Sequence, residues 1–139
     1  MTNEEALEVL TPFYDLFRHD KRNWEKGFEV LDDHWKSYYT NDKFRTKEET
    51  RPYIQGLFEI VPNIQVEILN LQMAANTAVV RTRLSGTPAT DFMVPHTGRS
   101  FSIMTIDLHT IENGKITELY HLEDWGTAIN QLSGKKDES

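Results

Sequence analysis

The chain has 139 residues, of which 38% are hydrophobic and 27% are charged, a composition that predicts a single globular domain. Fifteen lysines and arginines against 22 acidic residues give a net charge of −7, which disfavours nucleic acid and anionic membranes as partners. The chain contains no cysteine, so disulfides and cysteine-based metal sites are excluded. The acidic N-terminus differs from an export signal, and no apolar run approaches the ~20 residues of a membrane helix, so we expect a cytoplasmic protein.

The first half of the chain has the apolar periodicity of amphipathic helices. Thr2 with Glu5, and Thr46 with Glu49, have the spacing of capping boxes, which mark helix starts. Pro62 marks the end of the last of these helices. Helices are predicted over 2–19, 23–31 and 46–61, and a short aromatic strand over 34–39.

Beyond Pro62 apolar and polar residues alternate, as in antiparallel strands, and Asn113-Gly114 is typical of a hairpin turn. Helices followed by strands predict an α+β fold, in which a curved antiparallel sheet wraps around the N-terminal helices and encloses a pocket. The turn-rich loop 87–99 is expected to border the mouth of that pocket. Strands are predicted over 64–68, 77–86, 101–111 and 115–125. The chain is predicted to be one domain, 1–139, with an ordered core over about 3–133 and a frayed tail over 134–139.

Asp124 is the first candidate for chemistry. Alternation along its strand places it on the same face as Tyr120 and Leu122. Partial desolvation beside these side chains would raise the pKa of the carboxyl towards the range in which it can exchange protons, as a general acid/base must. The alternative is an aspartate that caps the short helix beginning near Gly126.

Asp107 and His109 lie two residues apart on one predicted strand and therefore share a face with apolar neighbours. Such a mixed face predicts a cavity lining, with Asp107 in the pocket and His109 as a candidate proton relay. The alternative is a pair of rim residues bonded to their neighbours. His121 is expected on the face opposite to Asp124, as a sheet-surface or interface residue.

Abundant aromatic side chains would suit a flat, hydrophobic or aromatic small-molecule ligand. No His-x-x-x-His or other fixed ligand spacing occurs, so no metal is expected. The apolar positions Met104, Ile106 and Leu108 alternate away from the predicted cavity, which predicts a homodimer or a larger homo-oligomer. The aromatic residues expected to contact the ligand are Tyr14, Phe17, Trp35, Tyr38, Phe58 and Tyr120.

Four segments of the second half match a known family in the correct order. They are VPNIQVEI (61–68), LSGT (84–87), PHTGRSFSIMTIDLHTIENGKI (95–116) and ELYHLEDWGTAINQLSG (118–134). In these segments the chain resembles the SnoaL-like polyketide cyclase, or ester cyclase, family of the NTF2-like superfamily. The resemblance implies a cone-shaped fold, and it places Asp124 at the position of the family's catalytic aspartate and Asp107 at a position that is often acidic. The chain departs from the family's pattern at His96, Asn113 and Tyr120.

The resemblance implies a cofactor-independent cyclase, in which Asp124 would be the general acid/base of an intramolecular aldol-type ring closure on an aromatic polyketide-like substrate. An alternative on the same fold is an enzyme of limonene-epoxide-hydrolase type, which needs two carboxylates bridged by an arginine. Asp107 and Asp124 are its candidate acids, and Arg81 or Arg99 would have to reach the site. A further alternative is a non-catalytic small-molecule binding module.

Overall fold

Helices and strands segregate along the chain as predicted, and the fold is α+β. The structure, a computed structural model, describes residues 1–135, so 136–139 of the expected frayed tail lie outside the described residues. Within residues 1–135 there are four helices, α1 (Asn3–Asp15), α2 (Trp24–Glu29), α3 (Lys47–Ile60) and α4 (Trp125–Ser133). The six strands there are β1 (Leu31–Tyr38), β2 (Phe44–Thr46), β3 (Gln65–Ala74), β4 (Thr77–Gly86), β5 (Phe101–Glu112) and β6 (Lys115–Glu123).

The strands form one curved, open sheet in the order β2-β1-β6-β5-β4-β3. Adjacent strands are antiparallel except β1 and β6, which run parallel. Because β1 precedes α3 and β6 follows the hairpin, this parallel pair joins the N-terminal half of the chain to its C-terminal half. The antiparallel strands predicted after Pro62 are confirmed, whereas β2 was not predicted.

Both predicted capping boxes are present at the helix starts. The Thr2 hydroxyl accepts from the Glu5 amide, and the Glu5 carboxylate accepts from the Thr2 amide. Thr46 and Glu49 form the same pair of bonds at the start of α3. Helix α2 is shorter than predicted because the chain enters β1 at Leu31.

Burial alternates strictly along β5 and defines the two faces of the sheet. Side chains at the odd-numbered positions from Phe101 to Ile111 are buried beneath the helices, whereas Met104, Ile106 and Leu108 are exposed. The inner face packs against the apolar faces of α1 and α3. None of the helices in residues 1–135 combines the length and the apolar character needed to cross a membrane.

A β-bulge in β6 decides which of its side chains face inwards. Ile111 pairs with Ile116, but the preceding residue of β5, Thr110, pairs with Glu118, so Thr117 is an extra residue without a register partner on β5. A shift of one residue exchanges the two faces of a strand. Beyond the bulge, His121 therefore lies opposite Asp107 on the inner face.

Candidate active site

A cavity of about 60 Å³ opens between α1, α3 and the inner face of the sheet. Its walls are mainly apolar, which lowers the local dielectric and strengthens electrostatic interactions among the few polar groups. The apolar and aromatic residues that line it include Phe13, Phe17, Trp35, Leu57, Val66, Leu84 and Leu119.

A chain of polar side chains runs along one wall of the cavity. The Tyr14 hydroxyl lies 2.6 Å from Asp107 Oδ2 and 2.9 Å from His109 Nε2. The other Asp107 oxygen, Oδ1, bonds to His121 Nδ1, and His121 Nε2 bonds to Glu123 Oε1. Helix α1 supplies the tyrosine, β5 supplies Asp107 and His109, and the bulged strand β6 supplies the other two residues. We call these five residues the polar network.

The charges of the polar network follow from its contacts. Burial alone would lower the pKa of His121, but the charge of Asp107 and the hydrogen bonds to Asp107 and Glu123 outweigh burial and raise it to about 10. Burial acts to raise the pKa of Asp107, yet the charge and hydrogen bond of His121 hold it below its ordinary value. At neutral pH the pair is therefore an aspartate beside an imidazolium.

The inner end of the polar network is uncharged. Burial raises the pKa of Tyr14 well above its ordinary value, and burial lowers the pKa of His109 to about 4. The Tyr14 hydroxyl has one proton, which it donates to the Asp107 carboxylate, so its oxygen accepts from His109 Nε2–H. His109 Nδ1 then keeps its lone pair, and no group within residues 1–135 forms a hydrogen bond with it.

The two carboxylates of the polar network, Asp107 and Glu123, differ in whether they have an oxygen free to bind a ligand. Asp107 is 1% exposed, and each of its oxygens already has a partner. Glu123 lines the cavity, and among its bonds to residues 1–135 only Oε1 is engaged. Asp107 also lines the cavity, as predicted, but with both oxygens bonded it has less to offer a ligand than Glu123 and His121. Among residues 1–135, acidic and histidine side chains form no cluster with the geometry to hold a metal ion.

Three of the six aromatic residues expected to contact a ligand line the cavity, namely Tyr14, Phe17 and Trp35. Tyr38 and Tyr120 do not; their rings stack on each other with centroids 4.6 Å apart, and Tyr120 is 39% exposed on the outer face. Phe58 also lies outside the lining, beneath the Arg22 guanidinium at 4.4 Å.

The expected desolvation of Asp124 is wrong. Its side chain is exposed and caps α4, where it accepts from the Thr127 amide at 3.1 Å and from the Thr127 hydroxyl at 2.6 Å. These bonds lower, rather than raise, the pKa of Asp124. The alternative of a helix cap is confirmed, and Asp124 does not line the cavity.

The structure corrects three other placements. His121 faces the cavity rather than the sheet surface, because the bulge at Thr117 reverses the faces of β6. His109 is fully buried behind Tyr14 and does not line the cavity. No residue of the loop 87–99 lines it either, because this loop packs against α4, with the Thr97 hydroxyl donating to the Leu132 carbonyl.

The sequence alone does not single out Glu123 or Arg45, and both line the cavity. Glu123 is placed there by the bulge, which alternation cannot reveal. Arg45 lies on β2, which has only three residues and carries no periodic signal.

The comparisons with known proteins agree with this architecture. The family model described as the SnoaL-like domain matches residues 10–119, most of the chain. The chain belongs to the SnoaL-like domain family. No functionally curated protein matches this SnoaL-like domain in sequence.

Solved structures share its fold over nearly the whole chain. A protein named as a SnoaL-like polyketide cyclase from Jannaschia sp. CCS1 has a TM-score of 0.80 at 20% identity, covering 97% of this chain and 96% of that chain. IdmH, named as a polyketide cyclase from Streptomyces antibioticus, has a TM-score of 0.81 at 19% identity, covering 94% of this chain and 99% of that chain. An LEH-like epoxide hydrolase from M. tuberculosis has a TM-score of 0.72 at 11% identity, covering 95% and 92%. At these identities the similarity shows the NTF2-like fold of the SnoaL-like domain.

Proposed function

We propose that this SnoaL-like domain is a cofactor-independent cyclase that closes a ring by an intramolecular aldol-type reaction on an aromatic polyketide-like substrate. The observation that carries the proposal is the His121 ring, bonded to both Asp107 and Glu123 in the wall of an apolar cavity. An imidazolium next to a carboxylate provides an acid and a base within reach of one ligand. The names of the Jannaschia and Streptomyces proteins support this class of reaction.

The proposed reaction begins at a carbon between two carbonyl groups, whose conjugation stabilises the carbanion. Glu123 takes the proton from this carbon, and the electron pair of the broken C–H bond forms the new C–C bond to a carbonyl carbon of the same molecule. The electrons of that carbonyl move to its oxygen, which takes the proton from His121 Nε2. Protonated Glu123 then returns its proton to Nε2, which is its bonded neighbour.

Asp107 and Tyr14 have supporting roles in this scheme. Asp107 accepts from His121 Nδ1–H, which fixes the orientation of the ring and keeps it protonated. Tyr14 donates to the other oxygen of Asp107 and holds that carboxylate in place. Asp107 and Tyr14 are therefore positioning residues, whereas Glu123 and His121 would contact the substrate.

The test of this function is deuterium uptake at the acidic carbon of ethyl benzoylacetate in D₂O, followed by proton NMR. We expect the wild-type protein to accelerate the exchange above the buffer rate, and Glu123→Gln to reduce the acceleration by about 100-fold, the lower end of the usual effect of general base catalysis. The glutamine has nearly the same shape but cannot take up a proton.

Glu118→Gln is the matched control, since Glu118 lies on the same strand and does not line the cavity. The Glu118→Gln variant should accelerate deuterium uptake by the substrate as much as the wild-type protein does. A wild-type rate no faster than that of the buffer would contradict the proposal and favour the non-catalytic binding module.

The second candidate, an epoxide hydrolase, is favoured by one feature of the polar network. A cation lies between two carboxylates, although it is His121 rather than an arginine. The candidates Arg81 and Arg99 do not line the cavity. In that reaction one carboxylate would activate water, and opening of an epoxide by the wild-type protein without proton exchange on the β-keto ester would favour it.

We also propose that the protein is a homodimer formed through the outer face of the sheet. Met104, Ile106, Leu108, Tyr120 and Leu122 are between 37% and 70% exposed on adjacent strands β5 and β6. Such a continuous apolar surface is typical of an interface.

For this interface we predict that wild-type protein at micromolar concentration has twice the 16.2 kDa mass of one chain by light scattering. Leu122→Asp should give a single chain, because a buried, unpaired carboxylate opposes association. Leu7→Asp is the control, since Leu7 is 43% exposed on α1 and outside this face. A monomeric wild-type protein would contradict the proposed dimer.

A further inference from the structure

We infer that the cavity contains a carboxylate-binding subsite, formed by Arg45, Ser37 and Tyr53, and that the substrate therefore carries a carboxylate. This assignment of the substrate class rests on the proposed function, whereas the subsite itself rests on the geometry of the three residues. All three line the cavity. We refer to them as the carboxylate subsite.

The Arg45 guanidinium is held in a fixed orientation by two aromatic rings. Its Cζ lies 3.6 Å from the centroid of the Tyr53 ring and 4.3 Å from that of the Tyr39 ring. Stacking of this kind leaves the N–H groups of the planar guanidinium free at its edge. A planar fork of donors fits the two oxygens of a carboxylate, and its prior fixation reduces the entropy lost on binding.

No acidic side chain of residues 1–135 forms an ion pair with Arg45, although the pKa of Glu49, lowered mainly by its bonds to Thr46, is lowered further by the charge of Arg45. The ion pairs in this part of the chain involve other cations, and no hydrogen bond joins Arg45 to a protein group. The other charges of the cavity lining, those of Asp107, His121 and Glu123, already pair with one another. Arg45 is therefore the one cation among the described lining residues that is left for a charge on a ligand.

Two hydroxyl groups complete the carboxylate subsite. Ser37 on β1 is the register partner of Arg45 on β2, so their side chains lie next to each other on the inner face of the sheet. Tyr53 lies against the guanidinium from α3. Both residues line the cavity, so both hydroxyls can donate to a ligand.

The carboxylate subsite lies beside the polar network. Burial raises the pKa of Tyr53, the charge of Glu123 raises it further, and the charge of Arg45 opposes both, so Tyr53 lies within electrostatic reach of each residue. A ligand with its carboxylate on Arg45 would extend towards Glu123 and His121. The reacting carbon and the anchoring carboxylate would then be at different positions of one molecule.

The test compares the affinities of 2-naphthylacetate and its methyl ester, two ligands of similar shape that differ in charge, by isothermal titration calorimetry. Wild-type protein should bind the acid about 10- to 100-fold more tightly than the ester, the usual range for a charge-assisted hydrogen bond. Arg45→Met should abolish this preference and leave the affinity for the ester within a factor of about two. Arg51→Met is the matched control, because Arg51 also stacks on an aromatic ring, that of Trp24 at 4.7 Å, but does not line the cavity.

Ser37→Ala provides a second variant that leaves the stacked guanidinium in place, and it should reduce the preference for the acid about threefold to tenfold, as loss of one hydrogen bond does. Equal affinities of the wild-type protein for acid and ester, or a preference that persists in Arg45→Met, would overturn the carboxylate subsite. The outcome is independent of catalysis. A preference that depends on Arg45 in a protein that does not accelerate proton exchange would retain the carboxylate subsite and overturn the proposed function instead.

Discussion

Asp107→Asn should reduce the acceleration of proton exchange by about 100-fold, as much as Glu123→Gln, because a neutral residue no longer holds a protonated His121 beside that base. The Asp107 carboxylate is the main group that keeps His121 protonated. In asparagine an NH₂ group replaces one of the two carboxylate oxygens, so that position can no longer accept and the NH₂ group faces the donor of Tyr14 or of His121. His121 would lose its charge and its fixed orientation together.

Asp124→Asn is the control for this prediction. Asp124 is exposed, and asparagine caps a helix as well as aspartate does, so neither the exchange rate nor the melting temperature should change. Both variants are assayed at a temperature at which circular dichroism shows them folded. A full exchange rate in Asp107→Asn would contradict the supporting role of this residue. A severe loss in Asp124→Asn would favour that residue as the acid/base, as the sequence alone suggested.

The features of the fold that could be predicted from the sequence are those set by local chemistry. The capping boxes require only residues three positions apart, and the hairpin requires only Asn113 and Gly114, whose positive φ angles suit a tight turn. Strand 77–86 is predicted with the same bounds as β4 in the structure, because buried and less buried side chains alternate along it without interruption.

In the candidate site, the sequence correctly places the aromatic residues Tyr14, Phe17 and Trp35 in the cavity and Asp107 on the buried face of β5. On β6 the pattern misleads because a single extra residue, Thr117, reverses the two faces of the strand. Tyr120 and Asp124 therefore take the outer positions, while His121 takes an inner one. The bulge arises from pairing between strands, so no count of residues along one strand reveals it.

Arg45 shows a second limit of sequence reasoning. In the sequence it belongs to a mixed group of charged residues over 43–51, at the start of the helix predicted over 46–61, which indicates a solvated surface. In the structure, pairing of β2 with β1 brings it beside Ser37, and packing of α3 brings it against Tyr53. Both contacts join parts of the chain that have no common periodicity.

The free energy of unfolding should have its maximum near pH 6.5 and should fall on both sides, because two histidines of the polar network have pKa values shifted in opposite directions. On the acid side, burial lowers the pKa of His109 to about 4. Between pH 6.5 and 4 the unfolded chain binds a proton at His109 that the folded chain does not. Stability therefore falls as the pH falls, by about 1.4 kcal/mol per pH unit and about 3 kcal/mol over this range.

On the alkaline side, the pKa of His121 is raised to about 10. Between pH 6.5 and 10 the folded chain holds a proton on His121 that the unfolded chain has lost, so stability falls as the pH rises, with a similar slope. Below pH 6.5 His121 is protonated in both states and contributes no slope. The two windows do not overlap, which allows each slope to be assigned to one residue.

Urea unfolding at half-unit pH intervals from 5 to 9 measures both slopes, because the change in midpoint at constant m-value gives the change in free energy. His109→Gln should remove the slope between pH 5 and 6.5 and leave the alkaline slope unchanged, even if the variant is less stable at every pH. His121→Gln should do the reverse. His34→Gln, at an exposed position outside the polar network, should keep both slopes. An acid slope that survives in His109→Gln would show that His109 is not the buried neutral group at the inner end of the polar network, and an alkaline slope that survives in His121→Gln would contradict the imidazolium on which the proposed chemistry depends.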